Sequence, residues 1–131
     1  MIKDFTNHNQ ALKLKALGFD EPCVAFFQKE YHEITPVMVD DNDQYRLTGL
    51  RTCKNSEIPE HYTAAPTFAQ AFTFFRDKGY DTKIQKESEG LYFAFYWTGV
   101  TWIIVGNGSY REAELACLDK LIEMVEKNTN I

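Results

Sequence analysis

Between Thr67 and Lys127 the apolar spacing changes from helical to strand-like and back, and no other feature constrains the fold as tightly. Thr67-Phe68-Ala69-Gln70 has the form of a capping box, in which the hydroxyl accepts from the third amide and Gln reaches back to the cap. Phe68, Ala71, Phe72 and Phe75 follow at i, i+3, i+4 and i+7, one apolar stripe that stops at Lys78-Gly79. Tyr80, Thr82 and Ile84 then alternate with Asp81, Lys83 and Gln85, and Ser88-Glu89-Gly90 turns the chain. Leu91, Phe93, Phe95 and Trp97 alternate with Tyr92, Ala94 and Tyr96; Thr98-Gly99 makes a tight turn, and Val100 to Val105 is a third strand. Ser109-Tyr110-Arg111-Glu112 is a second capping box. The helix it opens carries Ala113, Ala116, Cys117, Leu121, Ile122 and Val125 on one side.

Residues 67–127 therefore read α-β-β-β-α. An antiparallel sheet with both helices on one face is the expected result. Tyr92 and Tyr96 are expected on the face away from those helices, as a surface for a partner. In the first half, Asn9 to Leu17 reads as a short helix closed by Gly18, and Cys23 to Tyr31 as a strand. Ile34 and Val37 to Val39 form one arm of a hairpin around Asp40-Asp41-Asn42-Asp43, Gln44 to Leu47 the other, and Thr48 to Ala65 reads as a loop. The predicted fold is thus α+β, a mostly antiparallel sheet of four to six strands with two main helices on one face. One domain spans 1–131, with residues 1–65 as helix, hairpin and loop and 66–131 as the α-β-β-β-α unit.

The chain has 131 residues, of which 15% are aromatic, so disorder is excluded and a sizeable core is available. Its net charge is −5 and it has no basic run, which counts against nucleic acid and against membrane surfaces. Cys23, Cys53 and Cys117 are odd in number and widely spread, so neither a disulfide framework nor a zinc ribbon is expected. The first residues lack the apolar stretch of a secretion signal, and no run approaches the roughly 20 residues that a bilayer requires. Reduced thiols and a cytoplasmic location are the expectation.

Two resemblances accompany this reading. The α-β-β-β-α order, with Gly106-x-Gly108-Ser109 opening a helix that runs Glu112-Ala113-Glu114-x-Ala116-Cys117-Leu118, resembles a double-stranded-RNA-binding domain. That family places a Lys-Lys-x-x-Lys cluster at the start of its last helix to meet phosphates. Tyr110, Arg111 and Ala113 or Glu114 stand there in this chain, and residues 67–127 hold seven Lys and Arg against nine Asp and Glu. The resemblance implies the topology without the RNA-binding chemistry. Leu14-Lys15-Ala16-Leu17-Gly18-Phe19-Asp20-Glu21-Pro22-Cys23, Ala65-Pro66-Thr67 and Glu112-Ala113-Glu114-Leu115-Ala116-Cys117-Leu118 are similar to small proteins of phages and prophages of gut Bacteroidales. That likeness implies a phage setting and transfers no site.

Candidate chemistry is sparse. Asp40, Asp41 and Asp43 fail the calcium-loop pattern, because the sixth and twelfth positions counted from Asp41 are Arg46 and Thr52. His8, His32 and His61 have no metal-ligand spacing, and Cys53 with His61 is weighed as a nucleophile and base, since such pairs are spatial rather than sequential. No catalytic residue, metal or cofactor is expected. Gly106, Gly108, Ser109 and Arg111 at the strand–helix junction form an anion-binding candidate, set against a plain turn and cap. Tyr92, Tyr96 and Trp102 are candidate anchors, since Tyr and Trp are enriched at protein interfaces. The expected function is a non-enzymatic interaction domain, with another protein or a second copy as partner. A nucleic-acid-binding domain and a small enzyme are the alternatives.

Overall fold

A computed structural model describes residues 4–28, 34–36, 38–40, 45–50 and 52–129. The protein is α+β, and its chain forms two compact units, Met1–Thr67 and Phe68–Ile131.

The first unit opens with helix α1 (His8–Ala16). Asn7 Oδ1 accepts from the Gln10 N–H at 2.8 Å and Gln10 Oε1 accepts from the Asn7 N–H at 3.1 Å, so two otherwise orphaned donors are satisfied. At the other end Gly18 takes φ +95, where a side chain would be strained. That turn lets the Gly18 N–H reach the Lys15 carbonyl at 3.1 Å and the Phe19 N–H reach the Leu14 carbonyl at 2.9 Å. Phe19 and Leu14 are both buried there, which seals the helix end with an apolar contact.

Strands β1 (Ala25–Gln28), β2 (Ile34–Pro36), β3 (Met38–Asp40), β4 (Tyr45–Leu50) and β5 (Tyr62–Ala64) follow. They form a three-stranded antiparallel sheet in the order β2-β1-β5 and a separate β3-β4 pair. One face of β1 packs Ala25 and Phe27 against Phe5, Ala11 and Ala65, with the His8 ring stacked on Phe27 at 4.8 Å. Lys15 Nζ donates to the carbonyls of Glu60 (2.7 Å) and Tyr62 (2.9 Å), tying α1 to the start of β5.

Two expectations change in this half. The span from Thr48 to Ala65 is not one loop: β4 runs to Leu50, a single 3-10 turn occupies Asn55–Glu57, and β5 pairs with β1. Asn55 explains how so irregular a stretch is held. Its Nδ2 donates to the Phe19 carbonyl at 2.9 Å and its Oδ1 accepts from the Ala64 N–H at 2.8 Å. The hairpin is present as β3 and β4, but Tyr31, His32, Val37 and the turn residues Asp41 to Gln44 lie outside the described residues.

The second unit is helix α2 (Phe68–Asp77), strands β6 (Thr82–Ser88), β7 (Leu91–Trp97) and β8 (Trp102–Gly108), and helix α3 (Tyr110–Thr129), the predicted order. Gly79, at φ +94, ends α2 as Gly18 ends α1, with the Tyr80 N–H reaching the Phe75 carbonyl at 2.9 Å. The strands form a meander, β6-β7-β8. Phe72 of α2 and Ala113 and Cys117 of α3 share one cluster with Ile84, Tyr92, Ala94 and Val105, so both helices cover the same face. Among the described residues the strands are divided among three antiparallel sheets of two or three strands, fewer in any one sheet than the expected four to six. The N-terminal strands are only three to six residues long, and those around β1 find their cover in α1. Pairing partners so far apart in sequence leave no mark on local spacing.

Candidate functional site

Residues directly opposite each other on antiparallel strands point to the same face. Ile84, Ala94 and Gly106 form one cross-strand row, and Lys83, Phe95 and Ile104 form the next, on the opposite face. Ala94 is buried under α3, so the row of Phe95 faces away from the helices. Phe93 and Trp97 lie on that open face with Phe95, and Trp102 pairs with Trp97 across β7 and β8. Ring centroids are 6.3 Å apart for Phe93–Phe95 and 5.2 Å for Trp97–Trp102. Trp102 is 37% exposed and Ile104 55%.

This placement corrects one expectation. Tyr92 and Tyr96 are on the helix side, where Tyr92 packs on the core and meets the Tyr110 ring edge-on at 5.3 Å, and Tyr96 lies 6.4 Å from Tyr80. The physical reason is size. A Cβ on Gly106 would lie 2.5 Å from Ala116 Cβ, so α3 approaches the sheet where Ala94 and Gly106 face Ala113, Ala116 and Cys117. Both faces of β7 are apolar, so hydrophobicity alone could not choose between them. The run of small residues was the signal that could. Of the three candidate anchors, Trp102 is on the open face, and Phe93, Phe95, Trp97 and Ile104 are the residues the sequence did not single out.

Lys83 crosses this surface, its Nζ 5.1 Å from the Phe95 ring centroid and 4.6 Å from that of Trp102. Each such contact contributes about 0.5–1 kcal/mol at an exposed site, and its methylenes shield the rings. At one end of the face, Asp81, Thr82, Trp97 and Trp102 line an open recess of about 380 Å³. Further along the same face, Gln85 and Asn107 flank Phe93 across the strands.

The strand–helix junction is filled by the chain itself. The Ser109 N–H donates to Glu112 Oε1 at 2.9 Å and the Glu112 N–H donates to Ser109 Oγ at 3.1 Å, the predicted capping box. These bonds hold the Glu112 carboxyl below its ordinary range. A carboxylate therefore occupies the place where a phosphate would have to bind beside Gly106, Gly108 and Ser109. Arg111 lies over the Phe68 ring at 4.9 Å, so the one base of the junction packs on an aromatic.

The cysteines behave as core groups. Cys23 and Cys53 face each other on an isolated antiparallel bridge, each N–H donating to the other's carbonyl at 2.8 Å. Both are buried with their thiols outside any disulfide, as is Cys117. Burial, then the neighbouring Cys53 and Glu21, pushes the Cys23 thiol up from 9.0 to about 12. Burial likewise pushes Cys117 up to about 11. A raised thiol pKa stabilises the fold below the unfolded value, and that contribution is lost as pH rises from about 9 towards 12. The native chain should therefore resist thiol alkylation at Cys23 at pH 8 and lose stability above about pH 9. Rapid labelling of Cys23 in the native chain, read by peptide mapping, would contradict its burial. Cys53 Sγ donates to the Ala25 carbonyl at 3.9 Å, whereas His61 is exposed and packs its ring 4.4 Å from Tyr62.

Among the described residues no group of three His, Cys, Asp or Glu is placed to hold a metal ion. No described helix is long and apolar enough to cross a membrane. Comparison of the chain with protein-family models, curated proteins and solved structures finds no match.

Proposed function

We propose that this chain is a non-enzymatic protein-interaction domain that docks its partner on the open face of the β6-β7-β8 sheet. The observation that carries the reading is the aromatic row of half-buried Phe93, Phe95 and Trp97 with exposed Trp102, on the sheet face opposite the one that α2 and α3 cover. Aromatic anchors at the centre of a patch contribute a disproportionate share of interface energy. The recess beside Trp97 and Trp102 has the size to take one side chain of a partner, with Asp81 at its rim to favour a basic or hydroxyl group. A phage or prophage setting, which the sequence resemblance implies, is part of this proposal. The experiment is affinity capture from a host lysate with the wild-type chain and with Phe93→Ser/Phe95→Ser, which removes two rings from the face and leaves the helix side intact.

The second reading is nucleic-acid binding. Lys83 beside the rings of Phe95 and Trp102 favours it, because aromatic platforms stack bases. Stacking without a basic groove gives weak affinity, and Glu112 fills the junction at which the RNA-binding family meets phosphate. Capture that survives nuclease separates the two.

A further inference from the structure

Strand β8 is the outer strand of its sheet, paired with β7 and with no other strand among the described residues. The N–H and C=O of a strand residue point to one side, and the side alternates along the strand. The Trp97 N–H donates to the Asp81 carbonyl at 2.9 Å, towards β6, and the Thr98 N–H to the Thr101 carbonyl at 3.0 Å, across the hairpin. Tyr96 therefore turns towards β8, its opposite residue Ile103 turns back towards β7, and Trp102 and Ile104 direct their backbone groups outwards.

Natural sheets blunt such an edge with charge, proline or short length. The opposite edge strand, β6, carries Lys83, Lys86 and Glu87. Strand β8 runs seven residues with no charge and no proline, and Trp102, Ile103 and Ile104 are 37%, 43% and 55% exposed.

We propose that this edge pairs with β8 of a second copy, antiparallel about a two-fold axis at Ile103. In that register Trp102 of each copy faces Ile104 of the other, and each pair exchanges N–H···O bonds in both directions. Ile103 meets its own counterpart as a non-bonded pair. The register shift at Val105 marks the outer limit of the match. A second copy is favoured over a different protein because the outward pattern at Trp102 and Ile104 is symmetric about Ile103, so a single strand is self-complementary, as a two-fold interface requires. With no charged residue in β8, two copies meeting there oppose no like charges from the paired strands themselves. This pairing uses the backbone edge and does not rest on docking at the aromatic face.

The test is the solution mass of the full chain from about 5 µM to about 1 mM by sedimentation equilibrium. The mass should rise towards that of two copies. Ile104→Lys puts like charges on both edges at an already exposed position, and should weaken association about tenfold or more with the far-UV spectrum unchanged. Ile103→Cys should give a disulfide-linked dimer on mild oxidation, because opposite residues of a non-bonded pair have Cα atoms about 4.5 Å apart. Val100→Cys, although 86% exposed, should cross-link far less, since it lies away from the axis. A single-copy mass throughout, an unchanged dissociation constant in Ile104→Lys, or faster cross-linking through Val100→Cys would each overturn the proposal. Phe93→Ser/Phe95→Ser should leave the dimer mass unchanged, so failure of edge pairing and failure of face docking are read separately.

Discussion

Replacing Phe27 by alanine is expected to cost about 3–5 kcal/mol, the largest loss from any single truncation in the first unit. Phe27 is 2% exposed on the central strand of its sheet, and three of the buried residues clustered with it, Ala11, Ala25 and Ala65, are small. Those alanines have no side-chain length with which to close a cavity, so the site cannot collapse and the full cavity cost applies. The stacked His8 ring would lose its apolar partner as well. Domains of this size are stable by about 5–15 kcal/mol, so the variant should unfold at far lower urea than the parent. Phe27→Leu, which retains most of the volume, should lose less than about half as much. Equal losses for the two variants would place the cost in ring stacking rather than in volume.

Gly106→Ala is the second large effect, and its sign follows from two opposed magnitudes. An alanine restricts the unfolded chain and contributes about 0.4–1 kcal/mol of stability where it fits. Here the new Cβ would lie 2.5 Å from Ala116 Cβ, an atom fixed directly on the backbone of α3 with no rotamer by which to yield. Overpacking of this kind costs about 1–3 kcal/mol, so the clash wins and α3 must shift away from β7 and β8. Ala116→Gly alone should cost about 0.5–1 kcal/mol as a helix-interior glycine, yet it should restore most of the stability lost in Gly106→Ala. The coupling between the two sites, from a double-mutant cycle on urea midpoints, is expected at about 1–2 kcal/mol. Strict additivity would show that α3 does not touch the sheet there.

The elements most readable in the sequence were those fixed by local chemistry. Gly18 and Gly79 stop their helices by taking positive φ, and Ser109 with Glu112 closes the start of α3, each within a few residues of the element it ends. The three alternating runs of β6, β7 and β8 could be placed for the same reason. Failures came where a distant partner decides. Tyr62–Ala64 is a strand because β1 lies beside it, and its path is held by Asn55, whose two bonds reach Phe19 and Ala64. On β7 the large aromatics suggest the inner row, whereas the helix contact is set by the smallest side chains, Ala94 and Gly106. The candidate surface was accordingly half legible. Trp102 was singled out, but the rings that accompany it were not.

The open aromatic face, rather than a catalytic or phosphate-binding group, is where we propose that this chain acts. The most direct test is tagged capture from phage-carrying host lysate with and without nuclease, comparing the wild-type chain, Phe93→Ser/Phe95→Ser and an edge control, Lys86→Ala. The account predicts a stoichiometric protein that survives nuclease, is retained by Lys86→Ala and is lost from the double variant, with the far-UV spectra of all three chains alike. Capture that disappears with nuclease, or that persists undiminished when both rings are gone, would contradict it.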